Sequence, residues 1–368
     1  MQALALHGHN KPVTDIKFNR DGDLLFSVAK EPGACVWRTS DGHLIGKYNT
    51  DKATAGCDVN QESTIFATAS FDLKAELWNV KTGEKIAEID QPAPCRAVAF
   101  NHDDRMLAVI SDKKMGNPGT INFYNLPETL GMEKVKTVFN PTISIKEADE
   151  AITCMAWGPT NQYMYYGTDK GRVVQWDVES QCEITSQVTH DDVVNRLHFD
   201  SNYLSLISAS KDKTAKLLDS RDCKAFRTYT SDNPVNDACI SPICDHILLG
   251  GGTDAQDVTT STGASKFDVK FYHKVNEGYL GSLKCHFGTI NTLQFSPSGR
   301  GFASGAVDGF VKIYNNFPQK YYTSPGSKPL WKHKSLSNDE EDEEYEENEE
   351  DEEDYTVDGG ADADLTDL

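Results

Sequence analysis

A chain of 368 residues is long enough for two ordinary domains or for one array of repeats. Its formal charge of -21 belongs to one end: residues 338–368 hold 18 of the 57 acidic residues and no Lys or Arg, so the remainder carries 39 acids against 36 bases, about -3. A near-neutral body lacks the global basic field of a dedicated nucleic-acid binder. The absence of a long apolar run argues against a membrane span. Nine scattered cysteines without a C-x-x-C pair, and no N-terminal leader pattern, favour a reducing cytosol or nucleus over a secreted disulfide framework.

Along the chain, Ala3 to Leu6 reads as a strand with no local sheet of its own. From there to residue 314, strand-like runs with period-2 alternation follow one another, and long helical periodicity is absent. Apolar first strands recur as VTDIKF (13–18), CRAVAF (95–100), ITCMAW (152–157), VVNRLHF (193–199) and INTLQF (290–295). They are expected to be apolar on both sides. Seven third strands end near Trp37, Trp78, Tyr124, Trp176, Leu218, Tyr272 and Tyr314. Four short strands with turns need about 40 to 45 residues, so the wider intervals predict insertions at Pro127 to Asp149 and Thr253 to Ser265.

Three segments repeat one pattern: His9, Ser27, Glu31, Trp37; His190, Ser208, Asp212, Leu218; and His286, Ser304, Asp308, Tyr314, with the later members 18, 22 and 28 residues after each histidine. Asp72 and Trp78 fit the same positions in a second segment, where Thr50 stands for histidine. Period and residue types match blades of a WD40 propeller. The expectation is an all-β, seven-bladed ring in which the N-terminal strand closes the last blade, so that its removal opens the ring. Inside a blade, histidine bonds the acid and the serine while serine takes the indole N–H; unpaired buried groups would cost roughly 1 to 3 kcal/mol each. Ser, His and Asp are also the parts of a hydrolase. Repetition within blades favours a structural role, because catalysis needs one triad in a cleft.

The run LLGGGTDAQDVTTSTGASKFDVKFY (248–272) lacks the G-x-x-x-x-G-K-[ST] spacing of a phosphate loop, so its glycines read as packing or turn positions. Asp254, Asp257 and Asp268 have no calcium-loop spacing, and Cys285 with His286 is half a metal site at most. No metal, cofactor or catalytic constellation is expected. The body is assigned to 1–322, a basic and polar linker (Lys320, Lys328, Lys332, Lys334 around Trp331) to 323–337, and a disordered acidic tail to 338–368. Ser337, followed by Asn338, Asp339 and Glu340, reads as a phosphorylation site for an acid-directed kinase.

Several strings then resemble one family. GHNKPVTDIKFNRDGDLLFSVAKEP (8–32), SASKDKTAKLLDS (208–220), PVNDACISP (234–242), LLGGGTDAQDVTT (248–260) and CHFGTINTLQFSPSGRGFASGAVDGFVKIY (285–314) are similar to the I subunits of eukaryotic translation initiation factor 3. The resemblance covers roughly residues 1 to 322. It implies a non-catalytic, cytoplasmic scaffold joining the b and g subunits and supporting 43S and 48S pre-initiation complexes, with mRNA recruitment or scanning on the 40S ribosomal subunit. RNA contact is expected to be indirect or weak, with no membrane association. It also implies that a helical segment of the b subunit docks around the fifth and sixth blades, at Lys211, Asp212 and Asp232. The alternative is an acidic-tailed WD40 chaperone for histones or ribosomal proteins, which would bind clients through its tail.

Overall fold

A computed structural model describes residues 2–114, 116–127, 139–252 and 267–315, and every regular element among them is a strand. β1 (Gln2–His7) precedes the first blade, made of β2 (Val13–Phe18), β3 (Leu24–Ala29), β4 (Pro32–Arg38) and the front of β5 (Leu44–Val59). The back of β5 opens the second blade, continued by β6 (Ile65–Ser70), β7 (Lys74–Asn79) and β8 (Lys85–Asp90). The third holds β9 (Cys95–Phe100), β10 (Met106–Ser111), β11 (Gly119–Asn125) and β12 (Ile143–Glu147); the fourth, β13 (Ile152–Trp157), β14 (Tyr163–Thr168), β15 (Arg172–Asp177) and β16 (Cys182–Val188). The fifth holds β17 (Val194–Phe199), β18 (Ser205–Ser210), β19 (Thr214–Asp219) and β20 (Ala225–Thr230). The sixth holds β21 (Val235–Ile240), β22 (His246–Gly251), β23 (Asp268–His273) and β24 (Tyr279–Lys284). β25 (Ile290–Phe295), β26 (Phe302–Ala306) and β27 (Phe310–Asn315) form the seventh, completed by β1, which pairs antiparallel with β27 from Gln2↔Asn315 to His7↔Phe310.

Each blade is an antiparallel meander whose two middle strands are buried on both faces, because blades pack face to face. β1 contributes to this packing: Leu6 is buried with Val13, Ile16, Leu25, Trp37 and Val311 at the seam between the last and first blades. The seven third strands end where the aromatic and leucine markers place them. The segment Pro127 to Asp149 is only partly an insertion, since its end is β12, the outer strand of the third blade. Thr253 to Ser265, the boundary at 322, the linker, the acidic tail and Ser337 lie outside the described residues.

The first strands differ from expectation. They are not apolar on both sides, because Asp15, Lys17, Asp58, Arg196 and His198 line a central channel cavity of about 470 Å³. Blades three and four present small residues there, with Ala97, Ala99, Cys154 and Ala156. Neighbouring first strands are also joined by one recurring bond. The second residue donates to the carbonyl of the first residue of the next blade's strand: Thr14 to Thr54 (2.9 Å), Asn195 to Val235 (2.9 Å), Asn236 to Ile290 (3.0 Å), and likewise Asn291 to Val13 (2.6 Å) and Thr153 to Val194.

Candidate functional site

Because strands in a meander alternate in direction, the turns between second and third strands and the connections between blades emerge on one face of the ring. Most residues singled out in the sequence sit at or just below that face. In the first blade, Trp37 Nε1 donates to Ser27 Oγ (2.8 Å), Ser27 pairs with His9 Nε2 (2.8 Å), and His9 Nδ1 meets Glu31 (3.0 Å). Glu31 also accepts the backbone N–H of Asn10 at 3.1 Å, tying the blade connection to the turn. In the fifth blade His190 lies between Ser208 (2.7 Å) and Asp212 (2.8 Å), and Leu218 leaves Ser208 to face the Lys216 carbonyl at 3.2 Å. In the seventh, His286 lies between Ser304 (2.7 Å) and Asp308 (3.0 Å). Tyr314 carries its polar atom at the ring tip, so its hydroxyl pairs with the Cys285 thiol rather than Ser304.

The second blade departs from the pattern. Asp72 is exposed and its backbone N–H donates to Ser70 Oγ at 3.2 Å; without a histidine there is no ring to hold its carboxylate. Trp78 nevertheless donates to Thr68 Oγ1 at 3.1 Å, while Thr50 accepts from the Gly33 N–H at 2.6 Å. The third blade rebuilds the network from residues that sequence reasoning missed. Buried Gln91 bonds the Tyr124 hydroxyl (2.6 Å), Ser111 (2.9 Å) and Asn122 (2.9 Å). Its Gln–Ser separation of 20 differs from the histidine spacing, which hid it.

Electrostatics suit structure better than catalysis. Burial lowers the His9 and His190 pKa values and keeps the rings neutral. Burial raises the Asp212 carboxyl, but bonds from Thr214 and His190 outweigh it and hold the group below its ordinary value. Ser27, Ser208 and Ser304 have no solvent-accessible surface, so no substrate reaches a hydroxyl. Burial pushes the thiols of Cys35, Cys154 and Cys285 up to about 11 and those of Cys95 and Cys223 to about 12, away from nucleophilic thiolates. Asp51, Glu76 and Glu88 converge closely enough to hold a cation, but the Lys85 ammonium already sits among them at 3.4, 2.7 and 2.7 Å. The glycine run is packing: a Cβ on Gly250 would lie 2.5 Å from Leu293, and one on Gly251 2.0 Å from the Pro234 carbonyl.

The three residues proposed to meet a partner separate by role. Lys211 is exposed in the β18–β19 turn. Asp212 beside it is committed to His190 and Thr214. Asp232, in the β20–β21 connection on the same face, is 92% exposed and 2.9 Å from Lys270. The charged channel is a second feature that the sequence reading missed. Asp15 pairs with Arg196 (2.7 Å), Lys17 with Asp58 (3.1 Å) and Asp237 with His198 (2.9 Å). These carboxylates also accept backbone N–H groups of the next blade: Cys57 onto Asp15, Phe100 onto Asp58 and Leu293 onto Asp237, at 3.2, 2.8 and 2.7 Å.

A family model described as EIF3I matches residues 1–324. Proteins named eukaryotic translation initiation factor 3 subunit I are similar over most of the chain. The one from Drosophila willistoni is 39% identical over 323 residues, 86% of this chain and 98% of its own length. Those from Nematostella vectensis (36% over 320 residues, 86% and 97%) and Aspergillus fumigatus (37% over 328 residues, 88% and 96%) are alike at similar coverage. With the propeller, its closing strand and this match over residues 1–324 together, the chain belongs to the subunit I family of eukaryotic translation initiation factor 3.

Proposed function

We propose that the protein is a non-catalytic, cytoplasmic scaffold of translation initiation. It joins the b and g subunits and supports 43S and 48S assembly and mRNA recruitment or scanning on the 40S subunit, touching RNA indirectly or weakly. The observation that carries this reading is the use of the repeated Ser, His and acidic side chains inside the blades, together with near-complete coverage of relatives named as subunit I. The chemistry-bearing groups hold the ring together, which leaves the turns as contact surfaces. In this reading Lys211 and Asp232 meet a helical segment of the b subunit across blades five and six, supported by their exposure, whereas Asp212 acts there by ordering the turn that presents Lys211.

Affinity purification of the tagged full-length chain and of a variant lacking residues 338–368, at moderate salt and with mass spectrometry, tests the proposal. Recovery of the b and g subunits by both forms supports the scaffold. Recovery of histones or free ribosomal proteins instead, and only with the tail present, would favour a chaperone; the 18 acidic residues of that tail are what keep this second reading in play.

A further inference from the structure

The seam of the ring lies between the seventh and first blades, where β1 pairs with β27 and supplies the covering strand. The channel side of that seam carries its own set of bonds. Asn291 donates to the Val13 carbonyl (2.6 Å), the Phe18 N–H donates to Gln294 Oε1 (2.8 Å), and Thr292 Oγ1 lies 3.4 Å from Asp15. The longest reach is from Arg196 of the fifth blade, past blades six and seven. Its Nη2 meets Asp15 Oδ1 at 2.7 Å, its Nη1 meets Asp15 Oδ2 at 3.4 Å, and Nη2 also faces the Thr14 carbonyl at 3.4 Å. Asp15 also accepts the N–H of Ile16 (3.0 Å) and of Cys57 in the second blade (3.2 Å). One carboxylate therefore gathers blades one, two, five and seven.

We infer that the Arg196–Asp15 pair is an internal lock on ring closure, acting in parallel with β1 rather than through it. A fork-shaped guanidinium fits this task because two parallel bonds fix direction as well as distance. Two parallel locks change what removal of β1 does. Loss of the outer strand alone uncovers Leu6's partners and frays β27 but leaves the inner strands registered. Loss of both locks separates the first blade from the last.

Hydrogen exchange with mass spectrometry on the full-length chain reads this directly, because the Ile16 and Cys57 amides report the Asp15 hub. In Arg196→Met, exchange at these two amides is expected to rise at least tenfold while Val173 in the fourth blade keeps its rate; Arg196→Lys, which retains charge without the fork, falls between. Deletion of residues 2–7 alone is expected to accelerate β27 but to leave Ile16 and Cys57 within about threefold. The deletion combined with Arg196→Met should lose protection throughout β2 and β25, more than the two single effects multiplied together. If the deletion alone unprotects Ile16 and Cys57 as fully as the combination, or if Arg196→Met and Arg196→Lys leave them unchanged, the lock does not exist. Should the combined variant fail to fold, the Met and Lys variants alone decide the matter by the same two amides.

Discussion

Ser27→Ala tests whether the polar set of the first blade is one coupled unit. The Ser27 hydroxyl has two buried partners, His9 Nε2 and Trp37 Nε1, both at 2.8 Å, and all three side chains are essentially inaccessible to water. Removing the hydroxyl leaves two orphans, at about 1 to 3 kcal/mol each, so a loss near 4 kcal/mol is expected. Ser208→Ala in the fifth blade removes a hydroxyl with the same histidine geometry but no indole, since Leu218 stands there. It should cost about half as much. Urea unfolding followed by circular dichroism, with equal slopes required before midpoints are compared, measures both. Trp37→Phe completes a double-mutant cycle in which Ser27 and Trp37 should couple by about 1 to 3 kcal/mol. Equal losses in the two blades, or a coupling under about 0.5 kcal/mol, would refute the reasoning.

Acid should act on the same sets. His9 and His190 have folded pKa values below their ordinary 6.5, so their contribution to stability is complete above that value and is lost as pH falls below it. The unfolding midpoint should drop between pH 7.5 and 5.5, and replacing both histidines with Asn should flatten that limb; an unchanged slope would speak against it. Lys85→Met strips the ammonium from Glu76, whose side chain is 2% exposed and whose carboxyl is already raised by burial. A loss of about 3 kcal/mol at pH 7.5, shrinking toward pH 5 as Glu76 takes up a proton, is expected from urea midpoints across that range. Asp232→Lys removes a carboxylate that is 92% exposed from its pair with Lys270, so the melting temperature should hold within the effect of about 1 kcal/mol. Affinity for the b-subunit peptide, measured by titration calorimetry, should fall by about 2 kcal/mol or more, and an unchanged affinity removes Asp232 from the interface.

What could be read from the sequence, and what could not, follows from how far each interaction reaches along the chain. His9, Ser27 and Glu31 span 22 residues within one blade, so a fixed spacing repeated three times exposed the unit and with it the ring. Tyr314 and Asp72 fit the spacing but not the chemistry, because geometry at the end of a phenol, or in a blade without histidine, is decided by neighbours. The bonds between blades were written in the sequence as V-T, V-N and I-N pairs opening the first strands, at Val13–Thr14, Val194–Asn195, Val235–Asn236 and Ile290–Asn291. They passed as ordinary strand residues because each bond crosses a blade boundary.

The channel charges lie beyond any local pattern, since Asp15 and Arg196 are 181 residues apart and meet only once the ring has closed. That separation has a consequence for function. A strand reading assigns every inward residue to a blade face and therefore expects apolar side chains. The structure instead places carboxylates at the axis, where each accepts a backbone N–H of the adjoining first strand. The Asp15, Asp58 and Asp237 carboxylates, at most 10% exposed, cannot be given up to a ligand without leaving the backbone N–H groups they accept unpaired. The axis and the blade networks are thus both committed to holding the ring in shape. On the proposed reading, recognition falls to exposed turn residues such as Lys211 and Asp232.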